Sequence, residues 1–281
     1  MVTDDDRVHL PDDDFRRERA LFSPELFADP DTGGDLPPTD LVSKKAWTGL
    51  IDLPTDVLLR TTSHEGSSVD ALHQLTSMWV DLVYRIVESS SPYMSTASLL
   101  ALEEFDALAF IALHGYYRQA LGCLRNALEV LTVGGGLAVT QNSALFTRWR
   151  ASEEVKFGNA RDWLSASAEG RRLDALAAPG AVFDRTVSGT WLVRLHKRLC
   201  GYAHSRAGTN NMDFWESNGP VHVWGVLDRT IAETRETMAL GMVLLHLGWP
   251  GFTMTSKARD LLAHPDSSWS DMASAVQAFL P

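Results

Sequence analysis

From Thr96 to about Val133 the sequence reads as one long helix, and its middle, Phe105 to Leu113, is apolar nearly all round. A helix without a polar face has no side to turn to water, so neighbours must cover it. The chain is therefore expected to be a helical bundle with this helix at its centre, bent at His114-Gly115. The remaining sequence supplies the neighbours. From Ser67, a cap candidate with Ser68, the residues Val69, Leu72, Leu75, Trp79, Leu82, Val83 and Ile86 recur at three and four. Further helices are expected at 143–166, 188–203 and 226–247, with short ones from Ser256 and Ser270. Gly134-Gly135-Gly136 marks either a close helix crossing or a helix end. No alternating strand pattern, repeat or low-complexity tract is visible, so the fold class is all-α.

The formal charge of −11 is unevenly placed. Residues 1–40 hold twelve acids against four arginines, a net of −8, which leaves −3 for the rest of the chain. A basic groove on that body is compatible with the acidic total. Residues 1–66 read as an acidic arm broken by Pro24, Pro30, Gly33-Gly34, Pro37-Pro38 and Pro54; 67–250 read as the helical domain, and 251–281 as a short helical extension. Apolar residues in the arm, Phe22, Phe27 and Trp47 among them, suggest that it packs on the body or on a protein partner. Two cysteines, Cys123 and Cys200, make no disulfide framework and fit a reducing cytosol. Three aspartates where a signal peptide would be basic and then apolar, and a longest apolar tract of only Met238 to Trp249, point to a cytoplasmic protein with no membrane association.

The densest set of functional atoms lies between Leu192 and Gly208. Arg198 and His204 are six apart, about 120° around a regular helix, and meet only if the arginine bends or the helix loosens. His196, Cys200 and His204 recur at four and form a stripe suited to zinc or to a thiolate–imidazole pair. Zinc would need a fourth ligand from elsewhere in the fold, such as Glu129 or His114, and no metal is expected. A third arrangement is purely structural, with Cys200 as a small apolar residue, His204 on a carbonyl and Arg198 reaching solvent. On the long helix, Arg118, Gly122, Arg125 and Glu129 share a stripe, and Arg125 with Glu129 is expected to form an internal ion pair. Phosphate-loop, dinucleotide, metalloprotease and nucleophile-elbow motifs are absent from the sequence.

Tyr117-Arg118-Gln119-Ala120 and Leu124-Arg125-x-x-Leu128-Glu129, followed by Arg198-Leu-Cys-Gly-Tyr-Ala-His204, resemble the HEPN superfamily of helical bundles, whose signature is Arg, four to six residues, then His. The likeness covers about Ser67 to Leu247, and Leu199 to Ser205 resembles a little-characterised bacterial branch. The resemblance implies a homodimer in which two Arg/His sets line one cleft. It implies a metal-independent endoribonuclease without cofactor, of toxin or phage-defence type. Arg198 and His204 would be catalytic; Arg194, Arg206, Asn210, Arg118 and Arg125 would contact RNA; Glu129 and Tyr202 would support them. The chemistry suits the pair, because histidine moves protons near neutrality and a guanidinium holds phosphate with two parallel hydrogen bonds. Active members usually carry a polar residue after the arginine, and Leu199 departs from that. The alternative is a non-catalytic HEPN-like bundle that binds a protein or a nucleotide. Removal of residues 1–40 is expected to leave a folded helical body that binds RNA more tightly and with a steeper salt dependence. Circular dichroism with RNA binding at two salt concentrations checks this, and an unfolded truncated body would put the arm in the core instead.

Overall fold

The computed structural model describes residues 48–87, 91–184, 186, 187, 189–203, 220–262 and 270–280. The acidic arm up to residue 47 lies outside them. Met1–Asp52 and Leu53–Pro281 are separate compact units, and the described part of the first is a π turn, Thr48–Asp52. The second unit begins inside the stretch that composition groups as an arm, with α1, Leu53–His64, whose Val57 and Thr61 are buried. It continues with α2 (Gly66–Val87), α3 (Pro92–Leu113), α4 (Tyr117–Thr140), α5 (Ser143–Arg150), α6 (Phe157–Ala166), α7 (Ala168–Leu176), α8 (Trp191–Ala203), α9 (Val226–Gly248), α10 (Ser256–Leu262) and α11 (Ser270–Phe279). No strand occurs among the described residues, and the fold is an all-α bundle.

The expected long helix is two helices. Gly115 adopts φ +77°, and a Cβ there would stand 2.3 Å from the Val221 carbonyl oxygen, so the break depends on glycine. The chain reverses at this point. Asn126 Nδ2 on α4 donates to Glu104 Oε1 on α3, and Gly134 further along α4 meets Ala97 nearer the start of α3, which makes the two an antiparallel hairpin. The glycine triplet is a crossing rather than an end: α4 runs on to Thr140. A Cβ on Gly134 would come within 2.4 Å of Ala97 Cβ, and one on Gly136 within 2.9 Å of Ala160 Cα.

The apolar stretch Phe105 to Leu113 is not the centre of the bundle. Phe110 is 67% exposed, and Leu99 and Leu100 of the same helix also face water. The buried axis is formed by α4 and α9, with fifteen of twenty-four and seventeen of twenty-three residues buried. Small residues decide this. Alanines and glycines let α4 be approached closely from several sides, whereas α3 is stacked mainly on α2 and α4 and touches α1 and α9 less, as where Phe105 meets Trp79 edge-on with ring centres 4.9 Å apart. The expected helix 143–166 is likewise two, parted at 151–156 where Ser152 has φ +67°, and α7, capped by the Ser167 hydroxyl, was not foreseen. The apolar tract that starts at Met238 is buried in α9 as far as Leu247, save for a half-buried His246, and no described helix is long and apolar enough to cross a membrane.

Gly134→Ala is expected to cost about 1–3 kcal/mol despite the better helix former, because α3 and α4 must part. Adding Ala97→Gly should recover most of that loss in urea denaturation; simple additivity of the two changes would mean that the crossing is not the cause.

Candidate functional site

Helix α8 buries Trp191, Leu192, Leu195 and Leu199, a stripe at helical spacing. Its first turn is held by the preceding connector: Trp191 and Leu192 amides donate to the Ala181 and Val182 carbonyls, and the Val182 and Phe183 amides donate to Asp174 Oδ1. The polar residues of α8 are turned to both neighbours. On the α4 side, Glu129 Oε1 accepts from Arg125 Nη2 at 2.6 Å and from His196 Nε2 at 2.8 Å, and the His196 ring stacks on Phe157 at 3.9 Å. Burial works to raise Glu129, but His196 and Arg125 outweigh it and hold the carboxyl below the usual range. Cys200 Sγ lies 3.7 Å from His196 Nε2.

On the α9 side, Arg198 Nε donates to both carboxylate oxygens of Glu233, at 2.8 and 3.0 Å, and its Nη2 donates to Glu236 Oε2. Trp191 Nε1 donates to the other oxygen of Glu236 at 2.8 Å. The Glu236 side chain is 2% exposed and that of Arg198 32%. Burial disfavours the charge on Arg198, yet the two carboxylates outweigh it and raise the guanidinium further above its ordinary value. Burial also pushes Glu233 up, opposed by the arginine. Farther along α8, the Tyr202 carbonyl accepts from Arg118 Nε at 2.7 Å, and its hydroxyl accepts from Arg229 Nη2 at 3.0 Å.

Between α4 and the end of α8 lies a cleft of about 470 Å³, lined in part by Arg118, Gly122, Arg125 and Tyr202. The stripe on α4 and the last turn of α8 thus meet, as far as Ala203. Glu129 lies behind Arg125 as its partner. Arg198 is not in the cleft wall but on the α9 side, held by carboxylates rather than reaching freely to solvent. Arg194 Nη1 donates to the Gly189 carbonyl at an exposed position away from the cleft lining. His204, Arg206 and Asn210 lie outside the described residues. No group of three His, Cys, Asp or Glu side chains that would hold a metal occurs among the described residues, where His196 is spent on Glu129 and Phe157.

Comparison with known proteins assigns no relative: the chain matches no protein-family model, no curated protein and no solved structure. The site therefore has to be understood from its own residues. Sequence reading missed Glu233 and Glu236, and a signal was present. They stand three apart, on one helical face, just ahead of the apolar tract that begins at Met238. Phe157 and Trp191 carried no such signal, since any buried aromatic would have looked the same.

Deleting one member of a buried ion cluster leaves uncompensated charge, so Arg198→Ala is expected to cost about 3–5 kcal/mol at neutral pH. Without the guanidinium, only the charge of Arg229 is left to oppose the burial and the Glu236 carboxylate that raise Glu233. The folded variant then binds a proton that the unfolded chain releases, and its deficit against the parent narrows as pH falls from 7 towards 5. Urea denaturation of both proteins across that range checks this, and a deficit independent of pH would show that the carboxylates are not its source.

Proposed function

We propose that this chain is a HEPN-like bundle that acts as a metal-independent endoribonuclease, working as a cytoplasmic homodimer in which Arg198 holds phosphate and His204 moves the proton. The observation that supports this best is the fixing of Arg198. Glu233 and Glu236 bind its Nε and Nη2, while Nη1 has no hydrogen bond among the described residues and about a third of the side chain is exposed. A guanidinium oriented in this way meets a phosphate without first being ordered, which is how a preorganised cation lowers the barrier to a phosphorane-like transition state. In the reaction the RNA 2′-oxygen attacks phosphorus and loses its proton, the bond from phosphorus to the 5′-oxygen breaks, and that oxygen gains a proton. The products are a 2′,3′-cyclic phosphate and a 5′-hydroxyl. Histidine serves either transfer, and neither needs a metal.

A non-catalytic HEPN-like bundle that binds a protein or nucleotide partner is the second reading. It is favoured by the charge of the cluster, in which two carboxylates face one guanidinium, and by Leu199, which is fully buried beside it and gives the site no further polar group. An experiment on Arg198→Ala does not separate the two, since that variant is destabilised under both. His204→Ala does. Under the enzymatic reading it loses roughly 10²- to 10⁴-fold in cleavage of mixed cellular RNA, with excess chelator present, while the parent leaves cyclic phosphate ends. Arg198→Lys, which keeps a cation against the two carboxylates, is expected to fold and to cleave little, because a point charge cannot make the two-pronged contact. Equal cleavage by parent and His204→Ala, or none by the parent, removes the enzymatic reading and leaves the binding one.

A further inference from the structure

The chain has a net charge of −11, yet the cleft between α4 and the end of α8 is lined by two arginines, Arg118 and Arg125, and by no carboxylate. Its thiol adds no anion: burial, with Glu104 nearby, pushes Cys123 up to about 12. Arg118 is 7% exposed and oriented by its bond to the Tyr202 carbonyl; Arg125 is oriented by Glu129. Such held cations in a recess favour an anion over water. Two further features narrow the ligand. Gln119 and Asn126 bring amides, which offer both a donor and an acceptor, while Ile111 and Tyr202 bring an apolar and an aromatic wall. Inorganic phosphate has no use for either, but a nucleobase has a mixed donor–acceptor edge and a flat apolar face. The space is also open where it needs to be: a Cβ on Gly122 would meet nothing within 4 Å, and a volume of about 470 Å³ suits a ligand of nucleotide size.

We propose that this cleft takes one nucleotide of an unpaired strand, its phosphate on Arg118 and Arg125 and its base between Ile111 and Tyr202 with its edge on Gln119 and Asn126. The inference rests on the RNA reading for the source of the nucleotide, not on cleavage. Paired bases present neither face to such a recess, so the cleft also selects single strands over duplex.

The test is isothermal titration of the full chain with the four nucleoside 5′-monophosphates, the matching nucleosides, inorganic phosphate, and a short unstructured RNA beside its duplex. The single strand is expected to bind. Where a monophosphate binds, its nucleoside and phosphate alone should bind roughly tenfold or more weakly. Gly122→Leu fills the recess without touching the packing and should abolish binding while melting at or above the parent's temperature. Arg125→Gln should weaken binding roughly tenfold. Binding of the strand supports the proposal, whereas a monophosphate bound with no binding of the strand, or duplex bound as well as the strand, overturns the unpaired strand as the source. Unchanged affinity in Gly122→Leu, phosphate bound as well as any nucleotide, or no binding by any probe overturns the proposal. Because the readout is binding, a protein that takes up the strand and cuts no RNA supports the cleft and sinks only the enzymatic reading.

Discussion

Helix α8 stands or falls with three carboxylates that it does not carry. Glu129 from α4, and Glu233 and Glu236 from α9, take its His196, Arg198 and Trp191. Its apolar stripe alone would let α8 slide or rotate against the two buried helices, since hydrophobic contact is not directional. Ion pairs and an indole donor on opposite flanks remove that freedom. Buried charge is an expensive means to that end, because desolvation offsets most of the attraction, so the clusters are better understood as fixing position than as a large source of stability.

That fixing reaches the cleft through one residue. Tyr202 sits one turn beyond Arg198, and both ends of it are engaged: its carbonyl by Arg118 of α4 and its hydroxyl by Arg229 of α9. The last turn of α8 is therefore registered against the same two helices as its middle. Arg118 has two roles at once, holding a helix end and presenting charge to the recess, and Arg125 repeats this with Glu129 and the cleft wall. The cations of the cleft are ordered before any ligand arrives, which spares the entropy of ordering them at binding.

The sequence made the fold class and the Arg125–Glu129 pair legible because both depend on local periodicity. It also brought Arg118, Gly122 and Arg125 onto one stripe, and that stripe does line the cleft. What it hid is tertiary. The apolar run in α3 looked central because hydrophobicity measures what a helix tolerates, not how closely others can approach it; the glycines and alanines of α4 settle the latter. The bend read at His114-Gly115 is a full reversal, and what meets Gly115 there is the carbonyl of Val221, more than a hundred positions later. The spacing of Glu233 and Glu236 puts them on one helical face, but only the placement of α8 beside that face shows what they hold.

The separation of the arginine cluster from the cleft bears on what kind of machine this is. Arg198 lies toward α9, the arginine recess toward α4, and only the end of α8 is common to both, with Tyr202 joining them. A strand held in the recess would thus be anchored to one side of α8 while any chemistry took place at its other flank. Binding and reaction would then depend on different residues, the first on α4 and the second on the α8–α9 clamp. On this arrangement a change confined to Glu233 or Glu236 alters the clamp and leaves every residue of the recess in place.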